Sequence, residues 1–425
     1  MNDPWHWRTG VMLGGTSFLA VFAVLYHDAP ASYHAILVAW GVVPYRFPFL
    51  DTHAVLSALD CARQGIDPYV ANPCNVLTEA FNYSPLILEA ASLPVTRGSN
   101  GTVGIALALM FFVAIASLPA PRGGRERIVT TLAVMSTMTA FAIERGNIDL
   151  LTFSLIAAAG HALRGGFATR TGGYALIVLA ALLKFYPLVA LVTALRETPR
   201  RLAAVAVGVL AVAAVFAVYY RHGLSEALAL VPFGSYFTDL FGATNLPWGL
   251  AELLRPLGAT PFLSALPWLV GAALVASCVS QALAVARLDR VAAPRDTEEI
   301  FLFIGTVLMV GCFFAGQNID YRGIFFLFVL PGLLALARAG GAPRIFFRTA
   351  ILIVFLMWGE LCREALQHIA PTNADPIWQT VKASFWLLRE LVWWRVIGVL
   401  LGLLIGLVAR APLFERIMPP RWRAA

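Results

Sequence analysis

Apolar segments recur from one end of the chain to the other, each about 15 to 25 residues long, and a helix needs about 20 such residues to cross a bilayer. The composition fits this pattern, because 59% of the residues are hydrophobic and 13% are charged, whereas soluble proteins carry roughly 25% charge. The mean hydropathy is +0.76. The sequence therefore predicts an all-α polytopic membrane protein in which residues 1–425 form a single integral membrane domain.

Short arginine clusters lie between the apolar segments, such as RGGRER at 122–127 and RETPRR at 196–201. Under the positive-inside rule they mark cytoplasmic loops, so the formal charge of +7 reflects topology. No basic face with interleaved aromatic residues is present, which argues against a nucleic-acid partner. Arg8 precedes the first apolar segment and places the N-terminus inside. Residues 28–100 are then a long first outer loop with interfacial helices.

On this topology, hydropathy predicts about ten membrane spans, at 10–26, 101–118, 128–143, 149–163, 202–220, 262–285, 300–314, 324–336, 350–366 and 392–408. One further apolar run, 172–195, has arginine on both sides and contains Lys184, Phe185, Tyr186 and Pro187 in succession. Its length of about 24 residues is too short for two crossings. We therefore expect a re-entrant helical hairpin with Lys184 at its tip and Pro187 opening the second arm.

Four polar groups fall on the outer side of this predicted topology. They are the loop around Asp51, the turn Arg145-Gly-Asn147-Ile-Asp149, the break Lys184-Phe-Tyr186, and the turn Gln317-Asn318-Ile-Asp320-Tyr-Arg322. Polar residues at membrane depth are costly and usually mark a functional cavity. The sequence therefore predicts a site on this side of the membrane.

The residue types suggest the chemistry of this site. Arginine and lysine bind phosphate, which makes Arg145, Lys184 and Arg322 candidate ligands of a phosphate or diphosphate. An aspartate at the membrane boundary, such as those of the Asp51 loop, is suited to remove a proton from an attacking hydroxyl as a general base in a partly dry pocket. The further candidate substrate-binding residues are His53, Tyr83, Asn147, Asp149, Tyr186, Gln317, Asn318 and Asp320. No metal-ligand spacing is present, and no metal or other cofactor is predicted.

Each candidate also has a structural explanation. The alternatives are snorkelling for Lys184, local ion pairs for Arg145 with Asp149 and for Asp320 with Arg322, and a loop hydrogen bond for His53. Asp60 and Asp67 are expected to be turn or cap residues, since Asp67-Pro-Tyr is a turn signal. Cys61 and Cys74 share the first outer loop and could form a disulfide if that loop is extracytoplasmic; the sequence leaves this pairing open.

Several motifs together resemble a known enzyme family. The order of Asp51, ARQGIDPY at 62–69 and FNYSP at 81–85 resembles the opening of glycosyltransferase family 87, polyprenol-phosphate-dependent enzymes of the GT-C superfamily. RGNIDLL at 145–151 is similar to the family's polar turn, and ALLKFYPL at 181–188 is similar to its Lys-x-x-Pro helix break. The resemblance covers the first half of the chain well and the second half mainly in hydropathy.

This resemblance implies a GT-C-like fold and a membrane glycosyltransferase. Its donor would be a monosaccharide, mannose-like or other, on polyprenyl phosphate, and its acceptor a hydroxyl of a lipid or glycan. Asp51 would act as general base in an inverting transfer on the extracytoplasmic side of a bacterial inner membrane. The donor phosphate would lie near Lys184 and either Arg145 or Arg322.

Two other classes use similar features. A transporter or flippase of a lipid-linked sugar also needs a basic cavity and broken helices, but more often shows two related halves. An O-antigen ligase or polymerase would use a diphosphate-linked glycan and a large late outer loop, whereas the predicted late loop here, 367–391, is modest.

Overall fold

The computed structural model describes residues 4–230, 234–258, 261–288, 296–339, 343–369 and 375–411. Most of these residues are helical. Nine of the described helices are long and apolar enough to cross a membrane, or ten if one bent pair is counted as a single span. The protein is therefore an all-α polytopic membrane protein, as the hydropathy predicted.

The first ten α-helices occupy the N-terminal half. They are α1 Pro4–Asp28, α2 Pro30–Ala39, α3 Leu50–Arg63, α4 Asn100–Ser117, α5 Gly124–Val134, α6 Thr137–Arg145, α7 Asp149–Ala162, α8 Phe167–Lys184, α9 Pro199–Tyr219 and α10 Arg221–Ala229. Shorter 3₁₀ helices cover Pro85–Ser92, Arg97–Ser99 and Tyr186–Arg196.

The remaining helices are α11 Asn245–Leu254, α12 Pro261–Ala286, α13 Asp296–Ala315, α14 Phe326–Ala339, α15 Pro343–Met357, α16 Gly359–Ile369 and α17 Pro376–Ala409, with 3₁₀ helices at Arg255–Leu257 and Asp320–Phe325. Two short strands, β1 Leu240–Phe241 and β2 Asn318–Ile319, pair in antiparallel fashion. Leu240 lies opposite Ile319, and Phe241 lies opposite Asn318.

The contacts divide the chain into two compact units. Unit 1 comprises Met1–Ala35, Val43–Ala120 and Ala140–Pro232. Its main helices pack in sequence, α1 on α4, α4 on α7 and α7 on α8. A separate core forms where α3 meets the 3₁₀ helix Pro85–Ser92, and the motifs of the first outer loop supply part of it through Tyr69 and Phe81.

Unit 2 comprises Ile36–Val42, Pro121–Thr139 and Phe233–Ala425. Here α12 packs along α17, and α13 packs against both α14 and α17. The core contains stacked aromatic rings, including Phe241 on Trp393 with ring centroids 4.3 Å apart. Helix α17 begins where Asp375 accepts a hydrogen bond from Ile377 N–H at 2.8 Å and Pro376 occupies the first turn, both of which are helix-start signals.

Several sequence predictions differ from the structure in detail. The predicted span 149–163 is the 14-residue helix α7, which is shorter than the candidate membrane spans. The run predicted as a hairpin breaks at Phe185 as expected, but its first arm, α8, begins at Phe167 and is by itself a candidate span. The predicted late loop 367–391 is helical from Pro376 onward. Residues 370–374 of that loop lie outside the described residues. The prediction of a single domain stays a prediction.

Candidate functional site

Asp51 lies in the first turn of α3, and the chain on either side of it is bonded to the turn that contains Asn147. The backbone N–H of Phe49 donates to the carbonyl of Glu144 at 2.6 Å, and the Thr52 hydroxyl donates to the carbonyl of Gly146 at 2.6 Å. These two bonds hold the first turn of α3 against the end of α6.

The close approach of these two segments requires glycine at position 146. Gly146 has φ +57°, and an added Cβ would lie 2.9 Å from the Cβ of Phe49. Phe49 itself has φ +66°. A bulky residue in the left-handed region is an outlier, and such strain persists only where the surrounding structure enforces it.

Asn147 connects Asp51 to Lys184. Its amide nitrogen donates to Oδ2 of Asp51, and its amide oxygen accepts from Nζ of Lys184 at 2.8 Å. The same oxygen accepts from the backbone N–H of Asp149 at 2.8 Å. Because the partners are an anion on one side and a cation on the other, the orientation of this fully buried amide is fixed.

Lys184 and Asp149 form a buried ion pair with 3.2 Å between Nζ and Oδ2, and their side chains are 6% and 0% exposed. The other carboxylate oxygen of Asp149 accepts from the Tyr186 hydroxyl at 2.7 Å. Asp149 is the first residue of α7 and Lys184 the last of α8. Both charges therefore complement the dipoles of their own helices.

Phe185 lies between Lys184 and Tyr186, and its backbone conformation allows both neighbours to contact the carboxylate of Asp149. Its φ is +59°, which ends α8 and turns the chain so that Lys184 and Tyr186 both contact Asp149. Among the described residues, three non-glycine positions have positive φ. Two of them lie beside the residues described above, Phe49 near Asp51 and Phe185 next to Lys184. Strained backbone is characteristic of functional sites.

The motifs of the first outer loop form one wall of the site. The Tyr83 ring lies 5.0 Å from Nζ of Lys184 and its hydroxyl is 3.5 Å from the Asn147 amide nitrogen. The Tyr69 hydroxyl donates to the Tyr83 carbonyl at 2.9 Å. A disulfide joins Cys61 to Cys74, which settles the pairing that the sequence left open and ties this segment to the end of α3.

The turn role expected for Asp67 is seen, whereas Asp60 lies within α3 and binds two arginines, including the backbone N–H of Arg97 at 3.2 Å. Asp67 accepts from Tyr69 N–H at 3.0 Å, and Asp60 forms ion pairs with Arg63 and Arg97. We refer below to Asp51, Tyr83, Asn147, Asp149, Lys184 and Tyr186 as the Asp51 cluster.

Burial raises the pKa of Asp51 above its ordinary value of 3.8, while the Asn147 hydrogen bond and the charges of Arg145 and Lys184 oppose this rise. Asn147 occupies only Oδ2 of the carboxylate. Oδ1 accepts no hydrogen bond from any residue that the structure describes. Asp51 is thus a half-buried residue with one carboxylate oxygen held by Asn147 and the other accepting no hydrogen bond from the described residues.

Arg145 and His53 have other contacts. Nε of Arg145 is 3.5 Å from Oε2 of Glu144, and its guanidinium lies 5.1 Å from the centroid of the Phe141 ring. Its side chain is 22% exposed. The His53 ring packs edge-on against Phe47 at 4.9 Å, and burial followed by the charge of Arg97 lowers its pKa. The geometry therefore gives His53 a packing contact with Phe47 at the start of α3.

The last predicted group belongs to unit 2 and builds the turn around β2. Gln317 accepts from Gly234 N–H at 3.1 Å and donates to Asn245 at 3.1 Å. Asn318 donates to the Cys312 carbonyl at 2.6 Å and accepts from Arg322. The Arg322 guanidinium is thus bonded within this turn.

Asp320 belongs to a buried ionic cluster that the sequence reasoning missed. Arg389 lies 3.6 Å from Asp320 and donates to Glu360 at 2.7 Å and to Glu390 at 3.1 Å. It also donates to the carbonyl of Leu240 at 2.9 Å, which fixes β1 to α17. The signal in the sequence was the charged pair Arg389-Glu390 inside the apolar run WLLRELVWW.

The fold and the Asp51 cluster define an integral membrane protein with a buried charged site at the ends of α3, α7 and α8. Comparison with known proteins finds no matching family model, no matching curated protein and no matching solved structure.

Proposed function

We propose that the protein is a membrane glycosyltransferase with a GT-C-like fold. It transfers a monosaccharide, mannose-like or other, from polyprenyl phosphate to a hydroxyl of a lipid or glycan. The proposal rests on the resemblance of the Asp51, ARQGIDPY and FNYSP motifs to glycosyltransferase family 87, and on the geometry that brings these motifs together.

The Asp51 carboxylate is the observation that carries the proposal. Asn147 holds one oxygen, and the other accepts no hydrogen bond from the described residues, which suits a base that receives a proton from an acceptor hydroxyl. Burial raises its pKa, which makes Asp51 a stronger base than an exposed aspartate. The acceptor oxygen then attacks the anomeric carbon, its proton passes to Asp51, and the bond to the donor phosphate breaks with inversion.

Arg145 is the better placed of the two nearby cations to bind the departing phosphate. Lys184 is 6% exposed and engaged by Asp149 and Asn147, whereas the side chain of Arg145 is 22% exposed. The terminal nitrogens of Arg145 donate to no residue that the structure describes. Their forked geometry matches phosphate oxygens, and the charge would stabilise polyprenyl phosphate as a leaving group. Lys184 then orients Asn147.

The site is proposed to face the extracytoplasmic side of a bacterial inner membrane. The disulfide between Cys61 and Cys74 lies in the segment that carries Asp51, and disulfides persist mainly in oxidising compartments. The arginine clusters at 122–127 and 196–201 are typical of the opposite, cytoplasmic side.

The test is a transfer assay with purified protein in liposomes. Polyprenyl-phosphate mannose and polyprenyl-phosphate glucose, each labelled in the sugar, are supplied with lipid and glycan extracts as acceptors. We expect release of free polyprenyl phosphate together with a labelled product, at a rate above that of protein-free liposomes. Movement of the intact donor between leaflets without its cleavage would instead establish a transporter and contradict the proposal.

The activity is expected to depend on the ionisation of Asp51. A general base works only when deprotonated, so kcat/KM should fall as the pH decreases through the pKa of Asp51, which burial places above 3.8. The measurement is a pH profile of initial rates at subsaturating donor.

Stability provides the control for this profile. Because its folded-state pKa is raised, Asp51 contributes stability that is present below its unfolded pKa and lost as the pH rises through the folded pKa. Acid should therefore lower the rate without a loss of stability caused by Asp51. If kcat/KM and the thermal midpoint fell together as the pH decreased, the assignment of Asp51 as the general base would be contradicted.

A further inference from the structure

Glu144 is a buried carboxylate to which the proposed transfer reaction gives no role. It is the penultimate residue of α6, and its side chain is 2% exposed. Neither of its carboxylate oxygens accepts a hydrogen bond from any residue that the structure describes. An ionised carboxylate is strongly destabilised in an apolar environment unless it is paired and hydrogen-bonded, and it otherwise takes up a proton. The protonation of Glu144 therefore depends on the charges around it.

Three ionisable side chains interact with Glu144. Nε of Arg145 lies 3.5 Å from its Oε2, and the positive charge of Arg145 favours the ionised form. The negative charge of Asp51 has the opposite effect. Tyr33 of α2 is the third neighbour, and its hydroxyl is neutral at physiological pH. The backbone of Tyr45 also faces the carboxylate. Arg145 is thus the cation that compensates the charge of Glu144.

The same guanidinium is the proposed ligand of the donor phosphate. Its Nε faces Glu144, whereas its terminal nitrogens donate to no residue that the structure describes. One positive charge cannot fully compensate two anions, and the phosphate adds a negative charge beside Glu144 and Asp51. A bound donor therefore removes much of the compensation on which ionised Glu144 depends.

The balance of charges at the site leads to the same expectation. With Glu144 ionised, the site holds three carboxylates and two cations, namely Asp51, Glu144, Asp149, Arg145 and Lys184. The singly charged phosphate of the donor raises the excess of negative charge from one to two. Uptake of one proton returns this excess to its value in the free protein.

Glu144 should accept this proton before Asp51, because the two carboxylates differ in their hydrogen bonds. Oδ2 of Asp51 accepts a hydrogen bond from Asn147, and the charge of Lys184 also favours its ionised form. Glu144 accepts no hydrogen bond from the described residues. A hydrogen bond to the charged form of a carboxylate favours ionisation. Asp51 therefore stays ionised and remains able to act as general base.

We propose that Glu144 takes up a proton when the donor phosphate binds to Arg145. The inference rests on the proposed function, because it assumes a phosphate-linked donor at Arg145. The proton comes from solvent, forms the O–H bond of a neutral carboxylic acid, and returns to solvent when the phosphate leaves. Glu144 acts through Arg145, since a neutral Glu144 leaves the charge of the guanidinium to the phosphate.

Donor binding should consequently become tighter as the pH falls. A site that gains one proton on binding has an affinity that rises by at most about tenfold for each pH unit of acidification. The effect is confined to the pH range in which Glu144 is ionised in the free protein and protonated in the complex. The donor itself contributes nothing, because its phosphodiester has a single acidic group that is ionised throughout this range.

The experiment measures proton uptake by isothermal titration calorimetry with the full-length protein in neutral-lipid nanodiscs. Farnesyl-phosphate mannose and farnesyl-phosphate glucose are the probes, and no acceptor is added, so that binding is measured without transfer. Titrations at one pH in two buffers with different ionisation enthalpies give the number of protons taken up. With the wild type we expect uptake of up to one proton, and an affinity that rises as the pH is lowered from alkaline to neutral.

Glu144→Gln should abolish the uptake and make donor affinity independent of pH, because the amide is neutral at every pH. At alkaline pH it should bind the donor up to about tenfold more tightly than the wild type, a gain that a damaged fold would not produce. Glu197→Gln is the matched control. Glu197 is another buried carboxylate of unit 1, bonded to Tyr174 and paired with Arg170. Proton uptake by this variant should equal that of the wild type.

Different results would contradict different proposals. Donor binding without proton uptake, or uptake that persists in Glu144→Gln, would overturn the inference and leave the glycosyltransferase proposal in place. Loss of the uptake in Asp51→Asn but not in Glu144→Gln would assign the proton to Asp51 and also overturn it. Failure of the folded wild type to bind either donor at any pH would contradict the proposed function itself.

Discussion

Asp51→Asn is expected to lower kcat by about 10²–10⁴-fold, because the amide cannot accept the proton of the acceptor hydroxyl. The substitution is nearly isosteric and leaves the donor-binding groups in place, so the affinity for the polyprenyl-phosphate sugar should change little. The measurements are single-turnover transfer rates and donor binding with the purified protein.

Asp67→Asn is the matched control for this variant. Asp67 follows α3 in the same segment of the chain, and its side chain accepts a turn hydrogen bond from Tyr69 N–H, which an asparagine oxygen can also accept. Its rate should remain near that of the wild type. A wild-type rate for Asp51→Asn would remove Asp51 from the mechanism.

Lys184→Met should have the largest effect on stability. Removing one partner of a buried ion pair costs about 3–5 kcal/mol, because the other charge is left buried without compensation. Here the remaining charge would be Asp149, which is 0% exposed. We expect a lower thermal midpoint in detergent. The pH profile of transfer should also shift upward, since the Lys184 charge lowers the pKa of Asp51.

The double variant Lys184→Met with Asp149→Asn separates these two effects. Without a buried carboxylate at position 149, much of the lost stability should return, because no unpaired charge remains. The upward shift of the pH profile should shrink but persist, because Asp51 still lacks the nearby ammonium. A thermal midpoint that is equal for the single variant and the wild type would show that the ion pair contributes little.

Hydropathy predicted the spans well where the apolar run contains no charge. The predicted spans 101–118, 202–220 and 262–285 lie within a few residues of α4, α9 and α12. The prediction failed at the start of α17, because Arg389 and Glu390 lower the hydropathy of a segment that is nevertheless helical. Arg389 and Glu390 are buried and bonded to each other. A hydropathy profile scores each residue separately, so it does not take account of this pairing of opposite charges.

The site was predicted less completely than the spans. Sequence reasoning chose Asp51, Asn147 and Lys184, which do lie together, since each adjoins a turn on the same predicted side. It did not predict that Asn147 would join the other two, because that depends on side-chain directions across distant segments. It also grouped Arg322 with them on topology alone. Arg322 bonds to Asn318 within unit 2, and the grouping stays a prediction.

The ion pair between Lys184 and Asp149 has a consequence for the surrounding lipid. It joins the last residue of α8 to the first of α7, so its length depends on the axial position of one helix relative to the other. A displacement by one residue is about 1.5 Å, which is large compared with the tolerance of an ion pair. Helices tilt when bilayer thickness changes. We therefore expect the thickness of the host bilayer to affect the alignment of Asn147 with Asp51.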